Sequence, residues 1–332
     1  SAKPEAQRGG MNQGEEALRS FLQERGVNYR ADMSSPVEGW EGCSRLSPYL
    51  AFGCLSIRTI HQAAGSRVAE LRALVRSGGP VDRRWLGSLS SFGARLRWHC
   101  HFMQKLEDEP RIEFENFSRA FDGMREGFSA TPEAEERFRR WQEGTTGYPM
   151  VDACMRAVRA TGWLNFRMRA MVASFAAYHL WLHWREPAVY LGRHFLDFEP
   201  GIHFSQFQMQ SGTTGINTLR IYSPAKQALD QDPKGVFIRR WIPELARVPE
   251  SWLSQPHLMP LEMQARYGCS IGKDYPAPVV DHQAAVALAR ERFAAVRKRP
   301  GTRAEAKRVL TKHGSRKRPA KRARPLVTAT LL

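Results

Sequence analysis

The sequence of 332 residues is short of the features that mark several common protein classes. It has no run of about 18 uncharged apolar residues, so nothing in it reads as a membrane-spanning helix. Its first residues, Ser1-Ala2-Lys3-Pro4-Glu5, carry no apolar core and read as a polar lead-in rather than a secretion signal. Cysteine is sparse. Cys43, Cys54, Cys100, Cys154 and Cys269 never form a C-x-x-C pair. That argues against a zinc ribbon or clustered iron–sulfur centre, and for free thiols in a reducing cytoplasm. Strand signals are poor, with no alternation of strand and helix and no Gly-rich loop after an apolar run. Acids are also scarce: 33 Asp and Glu against 50 Lys and Arg, a formal net charge of +17. Polyanions are therefore the default partner.

The charge is concentrated at one end. From Arg297 to Arg324, thirteen Lys and Arg stand against one acid, Glu305, which is +12 of the total. Residues 297–332 read as a basic disordered tail and 1–13 as a disordered lead-in. Between them, 14–296 reads as an all-α domain. An apolar face begins at Gly14 with Ala17, Leu18, Phe21 and Leu22. A helical segment over 47–63 opens at Ser47-Pro48, with Ser47 as N-cap, and another start is marked at Thr131-Pro132. Further helices are expected over 83–106, from Tyr148 to Arg159 with a stop near Gly162, over 165–184, over 187–197 and over 281–297. Segments 27–42 and 198–240 lack a period and read as long loops; loops of that length usually hold a ligand.

Four constellations could carry chemistry. Cys43-Ser44-Arg45-Leu46-Ser47-Pro48 gathers hydroxyls and a guanidinium at a helix start, either an anion grip or a plain cap. Arg167 and Arg169 stand on an otherwise apolar helix, where a buried Arg requires a carboxylate; Asp197 and Glu199 are acids that follow it. Segment 203–215 is Gln-rich and suits a pocket wall, with His203 in it as either a structural or an acid–base group. Nine Trp are present, with Trp181 and Trp184 at i, i+3, either core residues or oxidisable relays.

Taken in order, these segments resemble the photolyase/cryptochrome family over nearly all of 14–296. The resemblance rests on Ser44-Arg45-Leu46-Ser47-Pro48-Tyr49-Leu50-Ala51-Phe52-Gly53 and on Thr146-Gly147-Tyr148-Pro149-Met150-Val151-Asp152-Ala153-Cys154-Met155-Arg156. It continues through Thr161-Gly162-Trp163, Arg167 and Arg169, and Arg239-Arg240-Trp241-Ile242-Pro243-Glu244-Leu245. It implies an all-helical FAD-binding domain. Ser44, Arg45, Leu46 and Ser47 would contact the diphosphate, with Tyr29 in the same region. Arg169 would pair with Asp197 beside the flavin, with Glu199 near, and His99, Phe166 and His203 would complete the cofactor contacts.

The resemblance also implies blue-light repair of pyrimidine photoproducts in DNA by an electron from reduced flavin, a deoxyribodipyrimidine photolyase-type lyase. Arg95, Trp98 and His203 would face the lesion. The alternative is a cryptochrome-like photoreceptor without repair. Departures from the family pattern are plain. The residue nearest flavin N5, usually Asn, falls at His203; the Asn after the central Trp falls at Phe166. The Glu that assists dimer splitting falls at Arg95. Of the electron-transfer Trp triad only the middle one matches, at Trp184; the others fall at Phe207 and near Thr131. Trp181, Tyr178 or Trp163 would have to supply another route. No room is left for an N-terminal antenna domain. The expectations are thus FAD without an antenna chromophore, iron–sulfur cluster or metal, DNA as partner, no membrane contact, a cytoplasmic location and a monomer.

Overall fold

The computed structural model describes residues 3–125, 127 and 130–314. Its elements are helical: α1 (Met11–Gln23), α2 (Tyr29–Asp32), α3 (Glu38–Gly42), α4 (Ser47–Ala51), α5 (Ile57–Arg76) and α6 (Arg84–Asp108). Then come α7 (Pro132–Glu143), α8 (Pro149–Thr161), α9 (Phe166–Ser174), α10 (Arg185–Gly192), α11 (Pro200–Ser211), α12 (Pro224–Gln231) and α13 (Val236–Trp241). The chain closes with α14 (Glu250–Leu253), α15 (Leu261–Tyr267), α16 (His282–Lys298) and α17 (Thr302–His313). Among the described residues the only β pairing is one isolated bridge, Ile271 to Tyr275. No described helix is long and apolar enough to cross a membrane.

Local chemistry sets many of the boundaries. Thr131 and Asp281 cap α7 and α16 by accepting from Ala134 and Ala284 N–H. α8 stops at Gly162, whose φ of +72° lies in the left-handed region, and a Cβ there would meet Leu196 at 2.5 Å. α9 does not continue to 184. It widens into a π turn, Phe175–His179, and the chain then breaks, with Leu180 N–H bonded to Phe175 O and Leu182 N–H to Ala176 O. The buried Arg125 guanidinium, with no carboxylate partner among the described residues, donates to Ala177 O and Ser211 O at 3.0 Å each. It thereby ties the π turn to the C-terminus of α11.

Several expectations fail. Segment 27–42 is not a loop: it folds as a 3-10 turn followed by α2 and α3. Segment 198–240 holds α11, α12 and α13. Ser47 begins α4 rather than capping it, and α4 ends after five residues before α5 starts at Ile57. The lead-in is built into the fold: α1 starts at Met11, Lys3 Nζ donates to the Val158 and Arg159 carbonyls, and Gln7 bonds Arg45. The basic end is helical to His313, because Thr302, Val309 and His313 bury one face of α17. Residues 315–332 of the expected tail lie outside the described residues.

Among the described residues two large apolar cores result, with two small clusters beside them around Phe293 and Phe117. One large core joins α1, α5 and the first half of α6, with Phe21, Ile60, Leu89 and Phe92 at its centre. The other gathers α8, α9, α10 and α13 around Trp141, Val151, Met168 and Trp184. α6 and α11 pack together, and a deep cleft opens between the two cores beside them.

Candidate functional site

The cleft has a volume of about 300 Å³. Its walls carry Tyr29, Ser44, Arg45, Leu46, Ser47, Arg95, Trp98, His99, Phe166, Arg169, Asp197, Glu199 and His203, side chains from five stretches of chain. The sequence-stretch spacing alone would scatter them; the two cores bring them to one surface.

Arg169 and Asp197 form a fork, Nη1 to Oδ1 at 2.9 Å and Nη2 to Oδ2 at 2.8 Å. Arg169 Nε donates to Leu164 O at 2.7 Å, and the guanidinium lies 4.0 Å over the Phe195 ring. Burial would raise the Asp197 carboxyl, but the Arg169 charge and hydrogen bonds from Arg169 and Ser47 hold it below its ordinary value. Glu199 has a different partner: it accepts from His99 Nε2 at 3.0 Å.

Arg45 is held in an unusual way. Its φ is +60°, rare outside glycine, and its guanidinium sits in the corner of two near-perpendicular indoles, 4.1 Å from Trp40 and 4.0 Å from Trp163. Gln7 fixes it further, accepting from Nε at 3.2 Å and donating to the Arg45 carbonyl at 2.8 Å. Burial lowers its pKa to about 10, so it stays charged at neutral pH. Its Nη1 is buried with no partner.

At the mouth, the Arg95 guanidinium sits 4.3 Å over Trp98 and 4.9 Å over Phe166. These two rings are 46% and 43% exposed, high for large aromatics. His203 lies deeper, with Nε2–H donating to Ala188 O at 2.7 Å; burial drops its pKa to about 4, so the ring is neutral with Nδ1 as the acceptor.

Trp181 and Trp184 are not in the cleft wall. Trp184 is fully buried, donates from Nε1 to Asn116 Oδ1 at 2.8 Å, and is separated from His203 by Phe204. Trp181 faces a second cavity of about 580 Å³, with the Arg125 and Arg292 guanidinium groups each 4.6 Å over its ring. Two cations on one indole oppose its oxidation, so Trp181 is poorly placed as a relay. Arg167 lies away from the cleft with Nε buried and unpaired.

Sequence reasoning missed Trp40 and Asn165. Asn165 Nδ2 donates to Met33 O and Ser34 O, and its Oδ1 is buried in the cleft wall with no partner. Its position directly after Trp163-Leu164 was the available signal. The Gln-rich segment expected to wall a pocket does so through Gln206 and Gln210, though from the helix α11 and not from a loop.

Residues 92–295 match the family model described as the FAD binding domain of DNA photolyase. The chain belongs to the photolyase/cryptochrome family. It is 30% identical over 80% of its length to a deoxyribodipyrimidine photo-lyase of Alkalihalophilus pseudofirmus, covering 51% of that protein. It is 32% identical over 82% of its length to cryptochrome-2 of Arabidopsis thaliana, covering 43% of it. Among solved structures, a class III photolyase from Agrobacterium tumefaciens superposes with a TM-score of 0.76 at 28% identity, over 87% of this chain and 56% of that one. The chain thus spans about half the length of these relatives.

The cleft suits the family's FAD. Among the described residues Arg45 Nη1 and Arg95 Nη1 are buried donors without a partner, and Asn165 Oδ1 is a buried acceptor without one, all in the walls of one cavity. Buried polar groups left without partners are costly, and a ligand with phosphates, hydroxyls and a polar ring edge would satisfy them.

Proposed function

We propose that this chain is a flavin-dependent, light-driven DNA repair protein of the deoxyribodipyrimidine photolyase type, acting on pyrimidine photoproducts. The observation that carries the reading is the stack of Trp98, Arg95 and Phe166 across the mouth of a cleft whose wall holds the Arg169–Asp197 fork.

Bound FAD supplies a centre that absorbs visible light and, when reduced, gives one electron to a photoproduct and takes it back. Arg45 would hold the diphosphate, since its charge is fixed and its Nη1 has no other partner. Arg169, oriented by Asp197 and the Leu164 carbonyl, keeps a positive charge on the wall and favours an electron-rich ring beside it. Asn165 Oδ1 accepts from a hydroxyl or ring N–H. At the mouth, Trp98 and Phe166 offer faces on which an extruded base can stack, and Arg95 between them donates toward base carbonyls or a radical anion's charge. The apolar walls, Leu96, Phe102 and Phe195 among them, exclude water from the reacting groups. His203 does not exchange protons near neutral pH, because it is neutral and tied to Ala188.

The test is illumination of the flavin-loaded protein with oligonucleotides carrying a cyclobutane dimer or a (6-4) photoproduct. Light-dependent loss of either lesion supports the reading. A yellow, photoreducible protein that leaves both intact rejects it.

A cryptochrome-like photoreceptor without repair is the second reading. One observation favours it: both acids of the cleft wall are engaged, Asp197 by Arg169 and Glu199 by His99, and the mouth carries the cation Arg95. No free carboxyl is left to give a proton to a lesion. Equal affinity for damaged and intact duplex would favour this second reading.

A further inference from the structure

We infer that α17, together with the end of α16, is a binding surface for the phosphate backbone of duplex DNA, continuing the cleft rim along α6. The inference rests on the DNA reading above and adds a place on the fold that the family match, which ends at residue 295, does not reach.

The inner side of α17 is anchored by a single acid. Glu109, buried at the end of α6, is approached by His313, Arg111, Lys312 at 3.3 Å and Arg308 at 3.7 Å. Arg308 also donates to Phe117 O at 2.8 Å, and the His313 ring meets the Phe117 ring edge-on at 4.9 Å. The one acid of α17, Glu305, accepts from Arg308 and from the Arg119 backbone N–H. The outer side is different. Arg297, Lys298, Arg299, Arg303 and Lys307 are all exposed, and none makes an ion pair among the described residues. Such a cluster repels itself and gains from a polyanion laid across it.

The charge leads back to the cleft. Lys105 lies beside the His313 end of α17, with Nζ 5.0 Å over the Phe102 ring and 5.8 Å over Phe117, and it makes no ion pair among the described residues. Phe102 is itself a wall of the cleft. Exposed Arg97 and half-buried His101 fill the turns back to Trp98. From Trp98 to Glu109 is about 16 Å along the helix at about 1.5 Å per residue. A duplex rising about 3.4 Å per base pair therefore reaches α17 about five pairs from a base extruded at the mouth. Arg97 and Lys105, with His101 kept neutral by burial between them, lead from the α17 cations to an aromatic cleft that accepts a base, which fits a duplex better than a lipid surface.

The test uses the flavin-loaded full chain in the dark. A fluorescent duplex of about 24 base pairs with one central mismatch is titrated by anisotropy between about 50 and 250 mM salt. The double variant R303E/K307E leaves Thr302, Val309 and His313 in place. It should bind at least about tenfold more weakly at 100 mM salt, with a log–log salt slope smaller by about two. Its affinity for a thymidine dinucleotide, too short to reach α17 with a base in the cleft, should be unchanged, and R303K/K307R should bind the duplex as the parent does. An unaltered slope, an equal loss on the dinucleotide, or wild-type preference for phosphatidylserine vesicles over the duplex would overturn the inference. Failure of the repair reading shows separately, as intact photoproduct after the wild-type chain is illuminated with damaged duplex.

Discussion

Arg169 and Asp197 face each other through two parallel hydrogen bonds of 2.9 and 2.8 Å, with the carboxylate buried and the guanidinium partly open to the cleft. The arrangement is asymmetric: the acid has no water to fall back on, while the base has a cavity. Asp197→Ala strips Arg169 of its counter-charge and removes the anchor of its plane. Breaking a buried pair from one side costs about 3–5 kcal/mol. Arg169→Lys keeps the charge but loses the fork and the Leu164 contact, so it should cost less in stability while still loosening flavin. Flavin absorbance per chain after gel filtration, with urea midpoints, checks both. Full flavin occupancy in both variants would remove the pair from the cofactor site.

Trp40 should matter although it contributes no hydrogen bond to the cleft. It forms one wall of the corner of two near-perpendicular indoles in which Arg45 sits, 4.1 Å from the Trp40 ring. Removing one of the two rings loses about 1–2 kcal/mol, so Trp40→Ala should release FAD about tenfold faster, whereas Trp40→Phe should recover most of the retention. Stopped-flow recovery of free-flavin fluorescence on dilution gives the rate. Equal rates for the Ala variant and the parent would show that Gln7 and the backbone suffice.

How much of this was legible in the sequence depended on whether a signal was local. Thr131, Asp281 and Gly162 announced the ends of α7, α16 and α8, because caps and left-handed glycines act within one turn. The residues themselves said only that a buried Arg requires a carboxylate; the choice of Asp197 as the partner of Arg169 came from the family resemblance. α11 was not legible as a helix. A helix that turns Gln206 and Gln210 to a cavity, and buries Gln208 against Phe117 N–H and the Ile112 and Glu115 carbonyls, has no apolar stripe to read. α2 and α3 are too short to carry periodicity and are fixed from outside, by Asn165 on Met33 and Ser34 and by Ser35 on Gln231. The docking of α17 depends on Glu109, some two hundred residues away in sequence, and no window spans that distance.

Two buried histidines set an acid limb of stability. Burial lowers His203 to about 4 and His179 to about 3, the latter also opposed by His282. Both folded values lie below the ordinary 6.5, so the unfolded chain takes up protons first as pH falls. The stability they support is whole above about 6.5 and declines on acidification through the folded values, at about 1.4 kcal/mol per pH unit per histidine. Urea midpoints between pH 7.5 and 4.5 should fall steadily, and less steeply in His203→Gln. A flat profile in the wild-type chain would contradict neutral, buried imidazoles.

The Glu109 node should open in two steps. Burial holds His313 below 6.5 even though Glu109 attracts its charged form. Burial pushes Glu109 up, but the His313 hydrogen bond and the Arg111 charge outweigh it, and the carboxyl rests below 4.5. Both shifts are downward, so docking of α17 is strongest above about pH 6.5. It weakens first as undocked His313 takes a proton, and again as Glu109 is neutralised. Glu109→Gln removes the charge that His313, Arg111, Arg308 and Lys312 share, and should lower the local opening free energy of α17 by about 2 kcal/mol. Hydrogen exchange of the Thr302–His313 amides reads this directly. They should exchange faster in the variant at pH 7.5, and in the parent at pH 5.5, while the core amides of α8 hold in both. Coincident acceleration of α8 would mean that the node supports the whole domain and not one helix.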